Sequence, residues 1–181
     1  MQPFQNPPEA EIKSLLERVR VIAVVGFSPQ PSRPSHVVAS NLQRFGYRII
    51  PVRPAVASVL GEKAYASLRE ACRAASGILG RCSRRGSTSS VPRVVPPATL
   101  AHPCAAKIDM VNVFRAPEHV DAIVDDCIAL GIKTIWLQDG VVNEPAALRA
   151  QAAGMTVVMD RCAYRDYVHF FGHVPRPQPS V

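Results

Sequence analysis

The chain has 181 residues, 48% of them hydrophobic, and a formal net charge of +7, which suits one domain with a buried core. No apolar run approaches the roughly 20 residues that span a bilayer. The N-terminal residues also lack the basic-then-apolar pattern of a secretory signal. These features exclude a membrane partner and favour a soluble protein of the cytoplasm.

Most of the positive charge lies in one stretch of the chain. Between Glu70 and Asp109 there are six basic residues and no acidic one, whereas the net charge of the whole chain is +7. A nucleic-acid surface needs a basic face with aromatic or base-reading groups interleaved, and no such pattern occurs. Nucleic acid is therefore not favoured as a partner, although binding through this basic stretch stays open as a third alternative.

The first half of the chain alternates helix and strand. Residues 8–20 carry apolar residues at helical spacing and predict an N-terminal helix that packs on the domain. Residues 21–26 read VIAVVG, which is typical of a buried parallel strand. Pro34 then opens a second helix. Residues 47–52 predict a second strand, and a short helix capped by Ser67 follows it.

The second half continues this alternation. Three more strands are predicted, each followed by a helix, and strands that alternate with helices form a parallel sheet covered on both faces. The sequence therefore predicts an α/β protein with a doubly wound parallel sheet of about five strands in three layers, α/β/α. The later strands are expected at 108–114, 134–138 and 155–160, and the later helices at 117–131, 143–154 and 164–171.

Residues 77–106 do not fit this pattern. They are rich in Ser, Pro, Arg and Gly and show neither the helical nor the strand period. We interpret them as a disordered surface insertion; a regulatory basic loop and a stretch of altered reading frame stay open. The predicted organisation is a helix at 1–20, a domain at 21–170 interrupted by this insertion, and a flexible tail at 171–181.

The loop after the first strand argues against NAD. A dinucleotide fingerprint needs glycines at positions 26, 28 and 31, and this chain has Gly26, Ser28 and Pro31. The fingerprint also needs an acidic residue at the end of the second strand, where this chain has Arg53. Both requirements fail.

The same loop favours a phosphate. Arg33 and Arg53 supply positive charge, and the helix N-terminus with the hydroxyls of Ser28 and Ser35 can bond an anion. This predicts a phosphate-bearing adenosine ligand with an extra phosphate on the ribose, as in coenzyme A or NADP. The loop alone does not distinguish this reading from two arginines that are simply solvated.

Four segments of the chain carry a family resemblance: VIAVVGFSPQPSRPSHVVASNLQRFGYRIIPVRP, LGEKAYASL, IDMVNVFRAPEHV and TIWLQDGVVNEPAALRAQAAGMTVVMDRC. Taken together, they resemble the CoA-binding domain family of small stand-alone proteins. That family is itself similar to the CoA-binding domain of the succinyl-CoA synthetase alpha subunit. The resemblance covers roughly residues 10–76 and 107–170, and it implies a Rossmann-like fold that binds coenzyme A across the strand ends. Family members usually lack an insertion such as 77–106.

The resemblance implies ligand contacts in four places. These are the phosphate loop, the second strand end beside the adenosine, the third strand end on the pantetheine side, and the fourth strand end with the next helix cap. In that order, the matching residues are Gly26, Phe27, Ser28, Arg33, Pro34 and Ser35; Pro51, Val52 and Arg53; Val113, Phe114 and Arg115; and Gln138 and Asn143.

No catalytic residue is evident in the sequence. No cysteine pair has the CxxC spacing of a zinc site, and no metal is expected. His36 is the one histidine expected near the site, and a surface helix residue is the favoured interpretation. Cys162 follows the last strand and is a candidate redox thiol that could form a mixed disulfide with CoA. A half-buried structural cysteine is the favoured alternative.

These observations lead to two interpretations, of which the leading one is a binding protein and the other is an enzyme. The leading interpretation is a non-catalytic carrier, sensor or protective protein for coenzyme A, an acyl-CoA or a CoA disulfide. The other is an NADP-linked reductase, or a subunit of an acyl-CoA-processing enzyme whose partner supplies the catalytic groups. A homodimer is kept open as the protein assembly.

Overall fold

A computed structural model describes residues 3–54, 56–77 and 108–176. The insertion predicted at 77–106 lies outside the described residues from residue 78 onward, as does the tail beyond residue 176, and Gly77 ends a helix. Within them the helices are α1 Glu9–Arg18, α2 Pro34–Arg44, α3 Leu68–Gly77, α4 Val120–Leu130, α5 Glu144–Ala152 and α6 Ala163–Phe171. The strands are β1 Val21–Val25, β2 Arg48–Val52, β3 Ser58–Val59, β4 Glu62–Lys63, β5 Met110–Val113, β6 Thr134–Leu137 and β7 Thr156–Val158.

Five of these strands form one parallel sheet in the order β2-β1-β5-β6-β7, as the alternating pattern predicts. The order reverses beside β1, because the chain runs outward to β2 on one side and to β5 on the other. Ligands of open parallel sheets bind outside the carboxyl ends of the strands at such a reversal. The topology thus marks the ends of β1 and β5 as the place to look for a site.

A small antiparallel hairpin of β3 and β4 lies between β2 and α3, and no sequence pattern predicted it. Its two-residue turn, Leu60 and Gly61, has φ of 54° and 75°. Two positive φ angles are the signature of the tight hairpin turn that matches strand twist. Strands of two residues are too short to show an alternating pattern, so only Gly61 signalled the turn.

Both faces of the sheet are covered, which confirms the three-layer fold. Alternate residues of each strand point to opposite faces. Ile22 and Val24 pack with α1, α2 and α6, whereas Ala23 packs with α3, α4 and α5. Side chains on both faces are almost fully buried, so the strands read as continuous apolar runs.

Two predicted helix caps are confirmed. The Oγ atom of Ser67 accepts a hydrogen bond of 3.2 Å from the N–H of Glu70 in α3. The side-chain oxygen of Asn143 accepts one of 3.0 Å from the N–H of Ala146 in α5. Each bond satisfies an N–H group that has no partner inside the first helical turn.

The residues just after α6 contact the body of the protein. The Arg176 guanidinium donates hydrogen bonds to the carbonyl oxygens of Glu17 and Val19, and it lies 4.5 Å from the ring centre of Tyr47. These contacts hold residues 172–176 against the end of α1. None of the helices in the described ranges is long and apolar enough to cross a membrane.

Candidate functional site

Two cavities open at the carboxyl edge of the sheet, where the strand order reverses. The larger has a volume of about 710 Å³ and the smaller about 530 Å³. Gly26, Arg53 and Phe114 line both, so the cavities meet over the ends of β1, β2 and β5. Of the fourteen residues predicted for the site, ten line one or both cavities: Gly26, Ser28, Arg33, Pro34, Ser35, Val52, Arg53, Phe114, Arg115 and Gln138.

Gly26 sits where the two cavities meet and has no room for a side chain. Its φ is +85°, and a Cβ atom there would lie 3.0 Å from the carbonyl carbon of Phe114 and 3.0 Å from Cδ of Arg115. Glycine is therefore required both by the left-handed backbone and by the close approach of the chain after β5. Its N–H still donates to the Val52 carbonyl oxygen at 3.2 Å, which anchors the loop to β2.

The loop from Phe27 to Ser35 is held by its own polar groups. The Ser28 N–H donates to Oγ of Ser35 at 3.0 Å, and Nε of Arg33 donates to the side chain of Gln30 at 3.2 Å. The Phe27 ring is fully buried in the core, so this residue offers the site only its main chain. The loop thus carries Arg33 and the N-terminal turn of α2 to the rim of the smaller cavity.

The charges around the cavities are unbalanced toward positive. Among the described residues, one carboxylate lines each cavity, Asp139 the smaller and Asp126 the larger. The Asp139 carboxylate lies 2.5 Å from the guanidinium of Arg165, and that of Asp126 lies 2.7 Å from the guanidinium of Arg69. Neither arginine lines a cavity, so both carboxylates are neutralised from outside.

The arginines that do line the cavities have no such partner. Within the described ranges, Arg33, Arg53 and Arg115 form no ion pair with a carboxylate. Arg53 instead donates from Nη1 to the Phe27 carbonyl oxygen at 2.9 Å, which fixes its guanidinium beside the loop. Three unpaired positive charges around one opening favour a polyanionic ligand.

The larger cavity combines an apolar wall with a histidine. Its apolar lining includes Val52, Leu68, Phe114 and Ile123, which suits a flat hydrophobic group such as a purine. His119 also lines it, from a 3-10 turn, Pro117–His119, that leads into α4. The expectation that His36 would be the one histidine near the site is therefore wrong. The position of His119, shortly after the end of β5, was the signal that could have found it.

Four predicted site residues lie away from the cavity walls: three are buried, and the fourth uses its side chain to cap a helix. Pro51 and Val113 are buried within their strands. Asn143 uses its polar atoms between helices: besides capping α5, its Nδ2 donates to the Pro117 carbonyl oxygen and to Asp121, both at 3.0 Å. Asn143 therefore joins α5 to the start of α4. The remaining buried residue is Phe27, whose ring is described above.

Cys162 is a buried free thiol at the N-terminal end of α6 and lines neither cavity. The neighbouring Arg161 guanidinium makes two hydrogen bonds, of 2.7 and 3.0 Å, with the Asp166 carboxylate. Arg161 is therefore engaged by Asp166, and the redox role of Cys162 stays a prediction. The described part of the chain contains no cluster of three His, Cys, Asp or Glu residues that could hold a metal ion.

The fold and the cavities together define a Rossmann-like α/β protein whose switch point has an opening lined by three arginines. The family profile of the CoA binding domain matches residues 20–167, and the chain belongs to this family. It is 35% identical over 159 residues to the uncharacterized protein YneT of Bacillus subtilis, with 88% of this chain and 93% of that protein covered.

Solved structures agree with this assignment. A hypothetical protein from Pyrococcus horikoshii OT3 superposes with a TM-score of 0.71 at 27% identity, covering 95% of this chain and 98% of that one. A dinucleotide-forming acetyl-coenzyme A synthetase from Ca. Korarchaeum cryptofilum has a TM-score of 0.54 at 20% identity, covering 82% of this chain and 28% of that one. The second likeness, at 20% identity, shows the fold alone.

Proposed function

We propose that this protein binds coenzyme A, free, acylated or as a disulfide, as a non-catalytic carrier, sensor or protective protein. The observation that carries the proposal is the set of three arginines at the junction of the two cavities, none of them paired with a carboxylate in the described ranges. Coenzyme A carries a diphosphate and a 3′-phosphate, so it can occupy all three charges at once.

The two cavities suggest how such a ligand would lie. In Rossmann-like folds the diphosphate lies at the first helix N-terminus and the adenosine lies over the second strand. Here those places are the Gly26 loop with Arg33, and the larger cavity beside Arg53. The pantetheine arm would then extend over the ends of β5 and β6, where Gln138 lines the smaller cavity.

The proposal is tested by titration calorimetry with coenzyme A, 3′-dephospho-CoA, NADP and NAD. We expect coenzyme A to bind most tightly, and removal of the 3′-phosphate to weaken binding about tenfold or more, since a hydrogen bond to a charged group contributes about 1.5–3 kcal/mol. A folded protein that binds NADP but not coenzyme A would overturn the proposal and favour the reductase.

A matched pair of variants on one strand sharpens this test. Arg53→Met removes the charge at the end of β2, whereas Arg48→Met removes an exposed arginine at its other end. We expect Arg53→Met to weaken coenzyme A about tenfold but to change 3′-dephospho-CoA little, and Arg48→Met to change neither. Equal losses for both ligands would show that Arg53 does not contact the 3′-phosphate.

We also propose that the protein acts in the cytoplasm. Its assembly is either a monomer or a homodimer. Sedimentation equilibrium with and without coenzyme A distinguishes a monomer from a homodimer.

An acyl-CoA-processing partner would appear instead as turnover of an acyl-CoA when cell extract is added to the purified chain. Binding without turnover supports the carrier or sensor interpretation.

A further inference from the structure

A buried pair of carboxamides lies beneath the smaller cavity. Asn112, in the middle of β5, is 0% exposed, and its Oδ1 accepts a hydrogen bond of 2.8 Å from Nε2 of Gln138. Gln138 directly follows β6, is 4% exposed and lines the smaller cavity. The pair therefore links the interior of the sheet to the wall of the site.

Stability does not explain why an asparagine occupies this position. Its Nδ2 atom is buried and has no hydrogen-bond partner in the described residues. A buried donor without a partner costs about 1–3 kcal/mol. The residues paired with Asn112 on the adjacent strands, Val24 and Trp136, are apolar and buried. An apolar side chain of similar size would avoid this cost, but it would lose the bond to Gln138.

Gln138 is left with one available acceptor. Its main-chain N–H donates to the Val113 carbonyl oxygen, and its carbonyl oxygen accepts from Val141. Its Nε2 is bonded to Asn112, while Oε1 has no partner among the described residues and is not sealed from solvent as Nδ2 of Asn112 is. Because the carboxamide is planar, the bond at Nε2 sets the direction of Oε1. An acceptor held at a cavity wall is suited to bind an N–H donor of a ligand.

We propose that Asn112 is a positioning residue that orients Gln138, and that Oε1 of Gln138 accepts a hydrogen bond from an amide N–H of the ligand. The pantetheine arm of coenzyme A contains two secondary amides, whereas the adenosine 3′-phosphate 5′-diphosphate half contains none. This inference rests on the proposed function and names the part of the ligand that the smaller cavity recognises.

The test compares three ligands, coenzyme A, 4′-phosphopantetheine and adenosine 3′-phosphate 5′-diphosphate, by titration calorimetry. Asn112→Leu keeps a similar volume and removes the bond to Gln138. We expect it to weaken coenzyme A and phosphopantetheine about 3- to 10-fold, the loss of about one hydrogen bond, and to leave the adenosine ligand unchanged. The melting temperature should change little, since the unpaired Nδ2 donor is removed while Nε2 of Gln138 loses its partner.

A control variant lies on the same face of the same strand. Met110 is fully buried two residues before Asn112, and Met110→Leu is expected to bind all three ligands as the unmodified protein does. Gln138→Met removes the acceptor itself and should show the same ligand selectivity as Asn112→Leu. Adding Asn112→Leu to Gln138→Met should cause no further loss, because Asn112 acts through Gln138.

The outcomes separate this inference from the proposed function. If the unmodified protein binds none of the three ligands, both fail. If it binds coenzyme A but Asn112→Leu weakens all three ligands equally, or none of them, only this inference fails. The same holds if the losses of affinity in Asn112→Leu and Gln138→Met add in the double variant. Should Asn112→Leu not fold, Asn112→Ala removes the same contact without added volume, and the same selectivity decides.

Discussion

Gly26 packs closely against the chain after β5, and alanine there should be costly. The left-handed backbone, with φ of +85°, costs a non-glycine residue about 1–2 kcal/mol. A Cβ would also meet the Phe114 carbonyl carbon at 3.0 Å, and Phe114 is held by the hydrogen bond of 2.8 Å from its N–H to Val25. Overpacking of this kind costs about 1–3 kcal/mol. We expect Gly26→Ala to lower the free energy of unfolding by about 2–5 kcal/mol.

Gly154 provides a matched control for the backbone term. It lies just after α5 with φ of +78°, and a Cβ there would meet nothing within 4 Å. Gly154→Ala should therefore lose only about 1–2 kcal/mol. Urea unfolding of both variants, followed by circular dichroism, measures the difference, which is the contribution of the close approach. Equal losses in the two variants would refute the packing argument.

Three further predictions concern single polar groups away from the cavities. Hydrogen bonding, first from Asn143, holds the pKa of Asp121 below its usual value, so the carboxylate stabilises the fold above the unfolded pKa and loses this effect as pH falls through the folded one. Asp121→Asn should thus be less stable than the unmodified protein at neutral pH but equal to it in strong acid. A difference between the urea midpoints of the two proteins that stays the same at every pH would contradict this. Burial raises the pKa of the Cys127 thiol to about 12, so thiol-labelling mass spectrometry at about pH 8 should find it unmodified until urea is added. Tyr47→Phe removes the hydrogen bond of 2.7 Å to the Leu16 carbonyl oxygen and should cost about 1–3 kcal/mol in urea unfolding, whereas no loss would mean that the carbonyl finds another donor.

The main elements of the fold followed from local sequence, but some site residues did not. The apolar runs at 21–26 and 108–114 predicted β1 and β5, because a strand buried on both faces is apolar throughout. The same rule did not predict a role for Asn112, since the partner of a single polar residue inside such a run cannot be read from the sequence. Gln138 was expected from the resemblance, yet its bond to Asn112 joins residues 26 positions apart.

The charges at the site also depend partly on local sequence and partly on tertiary packing. The sequence by itself determined that Arg33 and Arg53 would stand at a strand-end loop, because both follow directly from the positions of β1 and β2. Only the tertiary structure decided that Arg33 and Arg53 form no ion pair within the described ranges, while Arg69 and Arg165 neutralise Asp126 and Asp139. Strand positions depend on the local period of apolar residues, whereas ion pairing depends on which helices the sheet brings together, and that is set by packing across the whole chain.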